Sequence, residues 1–413
     1  MSNSIIRKRI IAMTLGVMLV VLAMGTLIAC GKKDVGMPYG AILANNDDMA
    51  YGVTQALKDD SRKIPIIGVD ASDKGKEAVG NGTMAGTVKQ QADVMAQSLV
   101  DIIVEYFNNK DEKEYGIDTY KAYKNTEYSK GDYVDKDLDV GDTAYNYTAK
   151  DGVVRVPYLP YGSGSSRSLK NTKDVDEDKK IKDEYKNIGI TFFVFEAGND
   201  WMTAVENEFK SYATSVGLTK EANFQYAGAK GTGEDNQNSQ FDTAAIGENK
   251  DFFVMNPQDA GKTSSFVTKA KTAGIPIIFN NKQDTTGSGY DYAGNNTVYV
   301  GSDLDGGGMM QGTMLADMIK TGGKFAIQHS DNTAVDIRVL ILFGEPGHAD
   351  ATYRTLTWII AAKKALEDTG INIVFDKKID VKMMPNGKNW SAEGAQAVID
   401  GLTVSPGFKF YEN

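Results

Sequence analysis

Apolar runs alternate with helical patterns along most of this chain. The runs are rich in Val, Ile and Phe and predict strands at 41–44, 64–69, 85–88, 188–195, 251–255, 275–281, 297–300, 337–343 and 371–375. Apolar positions at helical spacing predict helices at about 92–107, 203–216, 262–273, 308–319, 353–366 and 392–402. Near-continuous apolar strands that alternate with helices indicate an α/β protein whose parallel sheets are covered on both faces.

Two internal segments lack this pattern. Residues 162–187 begin with Gly-Ser-Gly-Ser-Ser and continue as a mixed-charge, apolar-poor run, which is the composition of a flexible linker. Residues 109–150 are polar and rich in tyrosine, and we interpret them as an irregular surface insertion.

The N-terminus has the composition of a secretion signal. Three basic residues at 7–9 precede an apolar run at 10–29, and the run ends beside Cys30, the only cysteine. This pattern predicts a lipoprotein signal peptide, 1–29, followed by a lipidated Cys30 and a short tether, 30–36. The alternative is a plain transmembrane anchor, because about 20 apolar residues span a bilayer. Both interpretations place the rest of the chain outside the cytoplasm.

Length and charge narrow the class further. About 380 residues follow the signal, more than one hydrophobic core usually supports, so two domains are predicted. The chain carries 45 Lys and Arg against 55 Asp and Glu, a net charge of −10. This balance argues against nucleic-acid binding, which needs a concentrated basic face. With Cys30 lipidated, the domains contain no disulfide.

The most informative stretch is 344–354, Gly-Glu-Pro-Gly-His-Ala-Asp-Ala-Thr-Tyr-Arg. It follows a predicted buried strand and leads into a predicted helix, so its side chains belong at the carboxyl edge of a sheet, where ligands bind in open α/β folds. His348, Asp350 and Arg354 together offer donors and acceptors that suit a small, uncharged molecule covered in hydroxyl groups.

The 344–354 motif, within this alternation of strands and helices, resembles the galactose/glucose-binding proteins, which are periplasmic sugar receptors of bacterial ABC transporters. The resemblance implies a type I periplasmic binding protein fold: two doubly wound parallel-sheet domains, joined by a three-strand hinge, that close around the ligand. It covers most of the chain in swapped order, which implies a circular permutation with 162–187 joining the usual termini. One domain would then comprise 188–298 and 92–154, and the other 299–413, 37–91 and 155–161.

The resemblance also implies a ligand-binding set. In the 344–354 motif, His348, Asp350 and Arg354 would bond sugar hydroxyls, and Trp390 would stack on one face of the sugar. The remaining positions that match are Asn281, Asn46, Asp70, Trp201 (where the family has a phenylalanine), Asn199 (for an aspartate) and Gln90 (for an asparagine). The changes at Asn199 and Gln90 leave the choice between galactose and glucose open. For Asn46 and Asp70 an alternative role as helix caps is also open.

The family's calcium loop departs from its pattern here. Residues 330–335 read Ser-Asp-Asn-Thr-Ala-Val, and Gly40 stands where the family has a bidentate glutamate. Calcium needs six or more oxygens, largely from carboxylates. We therefore predict no family-type calcium site and no other cofactor.

Three classes of function are considered for such a chain. The favoured one is a monomeric binding protein that delivers D-galactose or D-glucose to an ABC transporter; a sensor for chemotaxis or signalling would need the same closure. An enzyme is not favoured. A sugar hydrolase needs two carboxylates flanking one bond, whereas Asp350 and Asp70 are expected at the hydroxyl rim, where Arg354 and asparagines would keep them ionised. Outside the site, Trp358 is predicted in the core.

Overall fold

The computed structural model describes residues 39–60, 64–111, 153–156, 158–162, 180–228, 236–283, 296–321, 335–346 and 348–405. Within these ranges the chain forms two lobes, each built on one sheet. No helix in the described ranges is long and apolar enough to cross a membrane. The predicted signal peptide, Cys30 and most of the predicted insertion at 109–150 lie outside the described residues.

The first lobe contains a seven-stranded sheet. Its strands are β1 (Tyr39–Ala44), β2 (Ile66–Val69), β3 (Gly86–Gln90), β5 (Tyr158–Gly162), β11 (Val335–Phe343), β12 (Ile371–Val374) and β13 (Val381–Met383). The order is β12-β11-β1-β2-β3-β5, with β13 also paired to β11. Every pair is parallel except β3 with β5.

The second lobe contains a six-stranded, wholly parallel sheet. Its strands are β4 (Val153–Val156), β6 (Ile190–Val194), β7 (Asn223–Tyr226), β8 (Phe252–Met255), β9 (Ile277–Asn280) and β10 (Thr297–Ser302). The order is β4-β10-β9-β8-β6-β7. The central strands are fully buried, as near-continuous apolar runs require when helices cover both faces.

Ten α-helices are described. They are α1 (Asp47–Ala56), α2 (Asp73–Gly80), α3 (Ala92–Asn109), α4 (Asp200–Ser215), α5 (Gln237–Ala244), α6 (Thr263–Ala273), α7 (Leu304–Thr321), α8 (Ala349–Leu366), α9 (Lys377–Asp380) and α10 (Ala392–Thr403). Polar side chains fix several starts, because a capping oxygen accepts an otherwise unpaired backbone N–H. Asn46 caps α1 and Asn199 caps α4 in this way.

Three connections cross between the lobes. Strand β3 of the first lobe leads into α3, whose apolar face packs in the core of the second lobe. Strand β10 of the second lobe leads into α7, which packs in the core of the first. Strands β4 and β5 lie in different sheets and are separated by one residue. The carboxyl ends of β3 and β10 therefore meet the start of β5 between the lobes.

A glycine-rich start allows α7 to approach α8 closely. A Cβ at Gly312 would lie 2.0 Å from the carbonyl oxygen of Trp358, and one at Gly308 would lie 2.3 Å from the Thr357 hydroxyl. The predicted core residue Trp358 is fully buried beneath this contact, as expected. The glycines thus set the distance between the helix that crosses the hinge and the helix that carries Asp350 and Arg354.

The predicted strands and helices are present in the structure, with bounds that differ by a few residues. Eight elements have no counterpart among the predicted ranges: the strands β4, β5, β7 and β13 and the helices α1, α2, α5 and α9. Two crossings also differ slightly from the predicted boundaries: β10 pairs within the second sheet up to Ser302, beyond 298, and β4 up to Val156, beyond 154.

The predicted linker, 162–187, is wrong at its C-terminal end. Residues 180–187 pack on the second lobe: Ile181 is buried in its core, and the Ile181 N–H bonds the Val216 carbonyl oxygen at 2.9 Å. Tyr185 also packs against this core, and its ring centroid lies 5.6 Å from that of Phe107. Residues 163–179 lie outside the described ranges.

Candidate functional site

The guanidinium group of Arg354 lies at the junction of the hinge connections. Its Nη1 donates to the Asn45 carbonyl oxygen at 2.7 Å. Its Nη2 donates to Gln90 Oε1 at 2.9 Å, to the Tyr158 hydroxyl oxygen at 2.6 Å and to Asp350 Oδ2 at 3.2 Å. Gln90 ends β3 and Tyr158 begins β5, so one buried side chain ties α8 to two of the three connections.

Gln90 was predicted as a ligand contact, but the protein itself uses both ends of its amide. Oε1 accepts from Arg354, and Nε2 donates to the Ser302 hydroxyl at 2.8 Å. Ser302 is the last residue of β10, so Gln90 links two hinge connections. In this arrangement Gln90 orients Arg354.

Asp350 sits one helical turn before Arg354, and both side chains are buried. Burial raises the pKa of Asp350 above its usual value, although Arg354, Arg155 and the Tyr158 hydroxyl oppose the shift. Burial likewise raises the pKa of Asp70 well above its usual value, against the attraction of Arg354. For both carboxyl groups, therefore, desolvation raises the pKa more than the attraction of Arg354 lowers it.

His348 and Trp390 form a contacting pair next to this centre. Their ring centroids are 5.0 Å apart at an interplanar angle of 67°. Trp390 Nε1 donates to Glu345 Oε2 at 3.1 Å. A Cβ at Gly344 would lie 2.3 Å from the Trp390 ring, so the first glycine of the motif is needed for the indole to lie there. Burial, with the nearby charges of Lys282 and Arg354, lowers the pKa of His348 well below its usual range and so favours the neutral imidazole.

Asn46 and Asp70 have different local roles. Asn46 accepts from the Met49 N–H as the cap of α1, and its amide nitrogen donates to the Trp390 carbonyl oxygen at 3.0 Å. The capping alternative is thus correct for Asn46. It is wrong for Asp70, because Ser72 caps α2. Asp70 instead has a φ of 112°, a backbone conformation that L-residues rarely adopt.

Side chains of both lobes line a shared cavity at the cleft. The first lobe contributes Asn46, Asp47, Asp48, Asp70 and Ser72, and the second contributes Asn199, Asp200 and Trp201. Asn199 caps α4, so its side chain is fixed at the mouth of the cleft by the Met202 N–H. Four of the predicted site residues meet in this cavity.

Asn281 directly follows β9 with a φ of 66°, and its carbonyl oxygen accepts from the Tyr299 hydroxyl at 2.7 Å. The next residue, Lys282, extends toward the other lobe. Its Nζ lies 3.7 Å from Glu345 Oε2 and 4.3 Å from the centroid of the Phe195 ring. A second bridge between lobes joins Lys74 to Asp200 at 3.2 Å.

Sequence reasoning missed several residues of this region: Asn45, Asp47, Tyr158, Lys282 and Glu345. Asn45 and Asp47 flank the predicted Asn46, and Glu345 lies in the predicted motif, so their positions offered a local signal. Tyr158 offered none, because its contact with Arg354 joins positions 196 residues apart.

Four polar atoms at the cleft are buried and have no hydrogen-bond partner among the described residues. They are His348 Nδ1, Asp350 Oδ1, Arg354 Nε and Trp201 Nε1. Buried polar groups are normally paired, so these four atoms are available to bond a ligand. Two of these atoms are donors, one is a carboxylate acceptor, and the fourth is an imidazole nitrogen.

No group of three or more His, Cys, Asp or Glu side chains in the described ranges could hold a metal ion. Gly40 lies buried within β1, while residues 330–334 of the expected calcium loop are not among those described. The absence of a family-type calcium site stays a prediction from sequence.

Comparison with known proteins gives partial matches to sugar-related binding proteins. The chain is 27% identical over 168 residues to a D-galactose/methyl-galactoside binding periplasmic protein of Haemophilus influenzae, a match that covers 41% of this chain and 47% of that protein. It is 44% identical over 55 residues to a ribose import binding protein of the same organism, covering 13% and 19%. The chain thus spans less than half the length of these curated relatives.

Solved structures give a weaker likeness. A solute binding protein of Actinobacillus succinogenes with bound D-allose is 20% identical, with a TM-score of 0.38 over 53% of this chain and 66% of that one. The family described as periplasmic binding protein domain matches residues 23–111 and 190–405, together well over half of the sequence. The chain belongs to this periplasmic binding protein family.

Proposed function

We propose that this protein is an extracytoplasmic binding protein for a monosaccharide, D-galactose, D-glucose or both. It closes around the sugar by a hinge motion and delivers it to an ABC transporter. Family membership implies the location outside the cytoplasm. The observation that carries the choice of ligand is the set of buried, unpaired polar atoms of His348, Asp350, Arg354 and Trp201 at the cleft.

The chemistry of a pyranose fits this set. A sugar ring has an apolar C–H face on each side and a rim of hydroxyl groups that both donate and accept. Asp350 Oδ1 accepts from such a hydroxyl, and Arg354 Nε donates to one. Trp390 and Trp201, one from each lobe, supply aromatic surface. A site that pairs each hydroxyl discriminates against analogues that lack one, since an unpaired buried group costs about 1–3 kcal/mol.

The connections between the lobes support hinge closure. Three short segments join two separately packed cores, an arrangement that permits rotation of one lobe against the other. Arg354 contacts two of these segments directly, so a ligand that bonds Arg354 also acts on the hinge.

The strand order supports the proposal of a circular permutation. The strands of each sheet can be renumbered in chain order, starting at β6 and passing from the end of the chain on to β1. Along the main path, which leaves out β13, both sheets then have the spatial order 2-1-3-4-5-6. In the order of this chain, β1 instead pairs with β11, some 300 residues away. Restoring the common order should raise the melting temperature and leave sugar affinity unchanged. An unchanged melting temperature would contradict the predicted cost of permutation.

The lipid anchor rests on the pattern around Cys30, outside the described residues. We propose that Cys30 is lipidated and holds a monomer at the membrane surface. Replacing Cys30 with Ala should block incorporation of labelled fatty acid and leave the apolar run at 10–29 attached, so that a larger, unlabelled protein accumulates. A wild type that takes up no fatty acid and keeps this run would favour the transmembrane-anchor alternative.

Calorimetric titration with glucose, galactose, ribose and arabinose tests the proposed ligand. We expect micromolar or tighter binding of glucose or galactose, and a loss of at least about 100-fold for Asp350→Asn, which removes a buried charged acceptor. A matched control is Asp242→Asn, an exposed substitution in the second lobe that should change nothing. Preference for a pentose would correct the sugar, and no binding by folded protein would contradict the proposal.

A further inference from the structure

A buried carboxylate that was not among the predicted site residues lies directly beneath the turn that carries Asp70. The side chain of Asp47 accepts the Ser72 N–H at 2.7 Å and the Ser72 hydroxyl at 3.1 Å on one oxygen. Its other oxygen accepts the Thr87 hydroxyl at 2.5 Å. Thr87 in turn accepts the Ala71 N–H at 3.2 Å. Asp47 is therefore hydrogen-bonded to the turn at 70–72 in two ways: directly at Ser72, and through the Thr87 hydroxyl at Ala71.

The surrounding chain leaves room for this carboxylate. A Cβ at Gly68 would lie 2.2 Å from Asp47 Oδ1, and a Cβ at Gly75 would lie 2.0 Å from Oδ2. Any larger residue at either position would displace Asp47. The two glycines, one in β2 and one in α2, flank the turn on both sides.

The turn itself is strained. Asp70 has a φ of 112° and Ala71 a φ of 50°, and neither is glycine. Two successive residues in this region are costly for L-amino acids and persist only where the surroundings hold them. The hydrogen bonds to Asp47 act on the residues that follow Asp70, so they are suited to maintain this conformation.

We infer that Asp47 is a positioning residue, which holds the strained turn at 70–72 so that Asp70 faces the ligand in the cleft. The inference rests on the proposed sugar-binding function, in which Asp70 is a ligand contact. Asp47 acts through Asp70 and is itself paired within the protein.

A double-mutant cycle tests this inference. Asp47→Ala should weaken binding of glucose or galactose by about tenfold or more, because the turn is released. Asp47→Asn should stay within about threefold of the wild type, since its carbonyl oxygen can accept from Ser72 and its amide can donate to Thr87. In an Asp70→Asn background, Asp47→Ala should cause less than about twofold further loss.

Asp380→Ala is a matched control in the same lobe. Asp380 is also a buried aspartate, which accepts from Tyr39, Arg338 and the Asp376 N–H, but it lies away from the cleft. This variant should lower the melting temperature and leave affinity unchanged. If Asp47→Ala fails to fold, Thr87→Val removes one tie to the turn and should show the same coupling to Asp70.

Equal losses with and without the Asp70 carboxylate would overturn the inference, because they would mean general destabilisation. If the folded wild type binds none of the sugars, the proposed function fails, and amide exchange then decides the role of Asp47. Faster exchange of the Ala71 and Ser72 amides in Asp47→Ala than in Asp380→Ala would still support it. Unchanged exchange would overturn it.

Discussion

The two lobes share a strand order but differ in what they bury. The described part of the first lobe buries five ionisable side chains, namely Asp47, Arg338, Asp350, Arg354 and Asp380. The described part of the second lobe buries only two, Asp101 and Lys282, and each is about 8% exposed. Its core is instead built from phenylalanine pairs, such as Phe192 with Phe209 at 5.5 Å and Phe193 with Phe253 at 5.2 Å.

The buried side chains of the two lobes are expected to contribute differently to stability. Buried charges must be desolvated, so they contribute little net stability even when they are well paired. Aromatic pairs bury large apolar areas and add favourable edge-to-face contacts. The first lobe thus carries most of the proposed ligand-binding groups, and Trp201 and Asn199 are the groups proposed in the second. Substitutions of similar energetic cost in the two lobes should therefore have different effects on binding.

The largest effect is expected for Arg354→Ala in the first lobe. It leaves buried Asp350 without its ion-pair partner and breaks the contacts to Gln90 and Tyr158. We expect sugar binding to be lost and the free energy of unfolding to fall by about 3–5 kcal/mol. Denaturant unfolding and calorimetry on the same preparation measure both quantities. Retained affinity would show that Arg354 only supports the fold.

A core truncation in the second lobe sharpens the comparison. Phe209→Ala removes a fully buried ring that packs against Phe192 and Phe224. The free energy of unfolding should again fall by about 3–5 kcal/mol. Sugar affinity should stay within about twofold at a temperature where the variant is folded. A large loss of affinity would mean that the second-lobe core also sets the geometry of the cleft.

The pH dependence of stability should also differ between variants of the first lobe. Burial raises the pKa of Asp47 to about 7 from 3.8, although Thr87 and Ser72 oppose the shift. Folding therefore favours protonated Asp47. Its contribution to the free energy of unfolding is complete below about pH 4 and is lost as the pH rises to about 7. Relative to Asp47→Asn, the wild type should lose roughly 2–4 kcal/mol across that range.

Urea unfolding of both proteins between pH 4 and 8 measures this difference. His348 has the opposite effect: because its neutral form is buried, the protein loses stability as the pH falls below the usual histidine pKa. Both proteins contain His348, so its contribution cancels in the difference between them. A difference that stays constant with pH would mean that Asp47 is ionised throughout.

Patterns local in sequence predicted the fold and part of the site. The apolar strands and the spacing of Asp350 and Arg354 on one helix face were visible because they depend on neighbouring positions. Strand β7 was missed because it is short, alternates polar residues with Phe224 and Tyr226, and has no fully buried residue, as is usual at the edge of a sheet.

Contacts between distant segments were not predictable in this way. Gln90 matched a ligand position, yet its amide is held by Arg354 and Ser302, more than 200 residues away. The strained turn that follows Asp70 is hydrogen-bonded to Asp47 at the start of α1 and to Thr87 in β3. A single sequence shows which polar residues arrive at the cleft, but the pairing among them is decided by tertiary packing.

The smallest effect is expected at the bridge between the lobes. Lys74 Nζ lies 3.2 Å from both Asp48 of its own lobe and Asp200 of the other, but about half of the side chain is exposed. Exposed ion pairs contribute about 0–1 kcal/mol and are screened by salt. Lys74→Ala should therefore weaken sugar binding by at most about fivefold at low salt.

Titrations at low salt and at about 1 M salt distinguish a bridge from a ligand contact, because the Debye length shrinks to about 3 Å at 1 M. For a bridge, the difference between Lys74→Ala and the wild type should vanish at high salt. Lys269→Ala breaks an ion pair to Asp242 within the second lobe and should have no effect at either salt concentration. A larger loss of sugar affinity in Lys74→Ala that persists at high salt would mean that Lys74 binds the sugar itself. Closure of the second lobe would then depend less on this bridge.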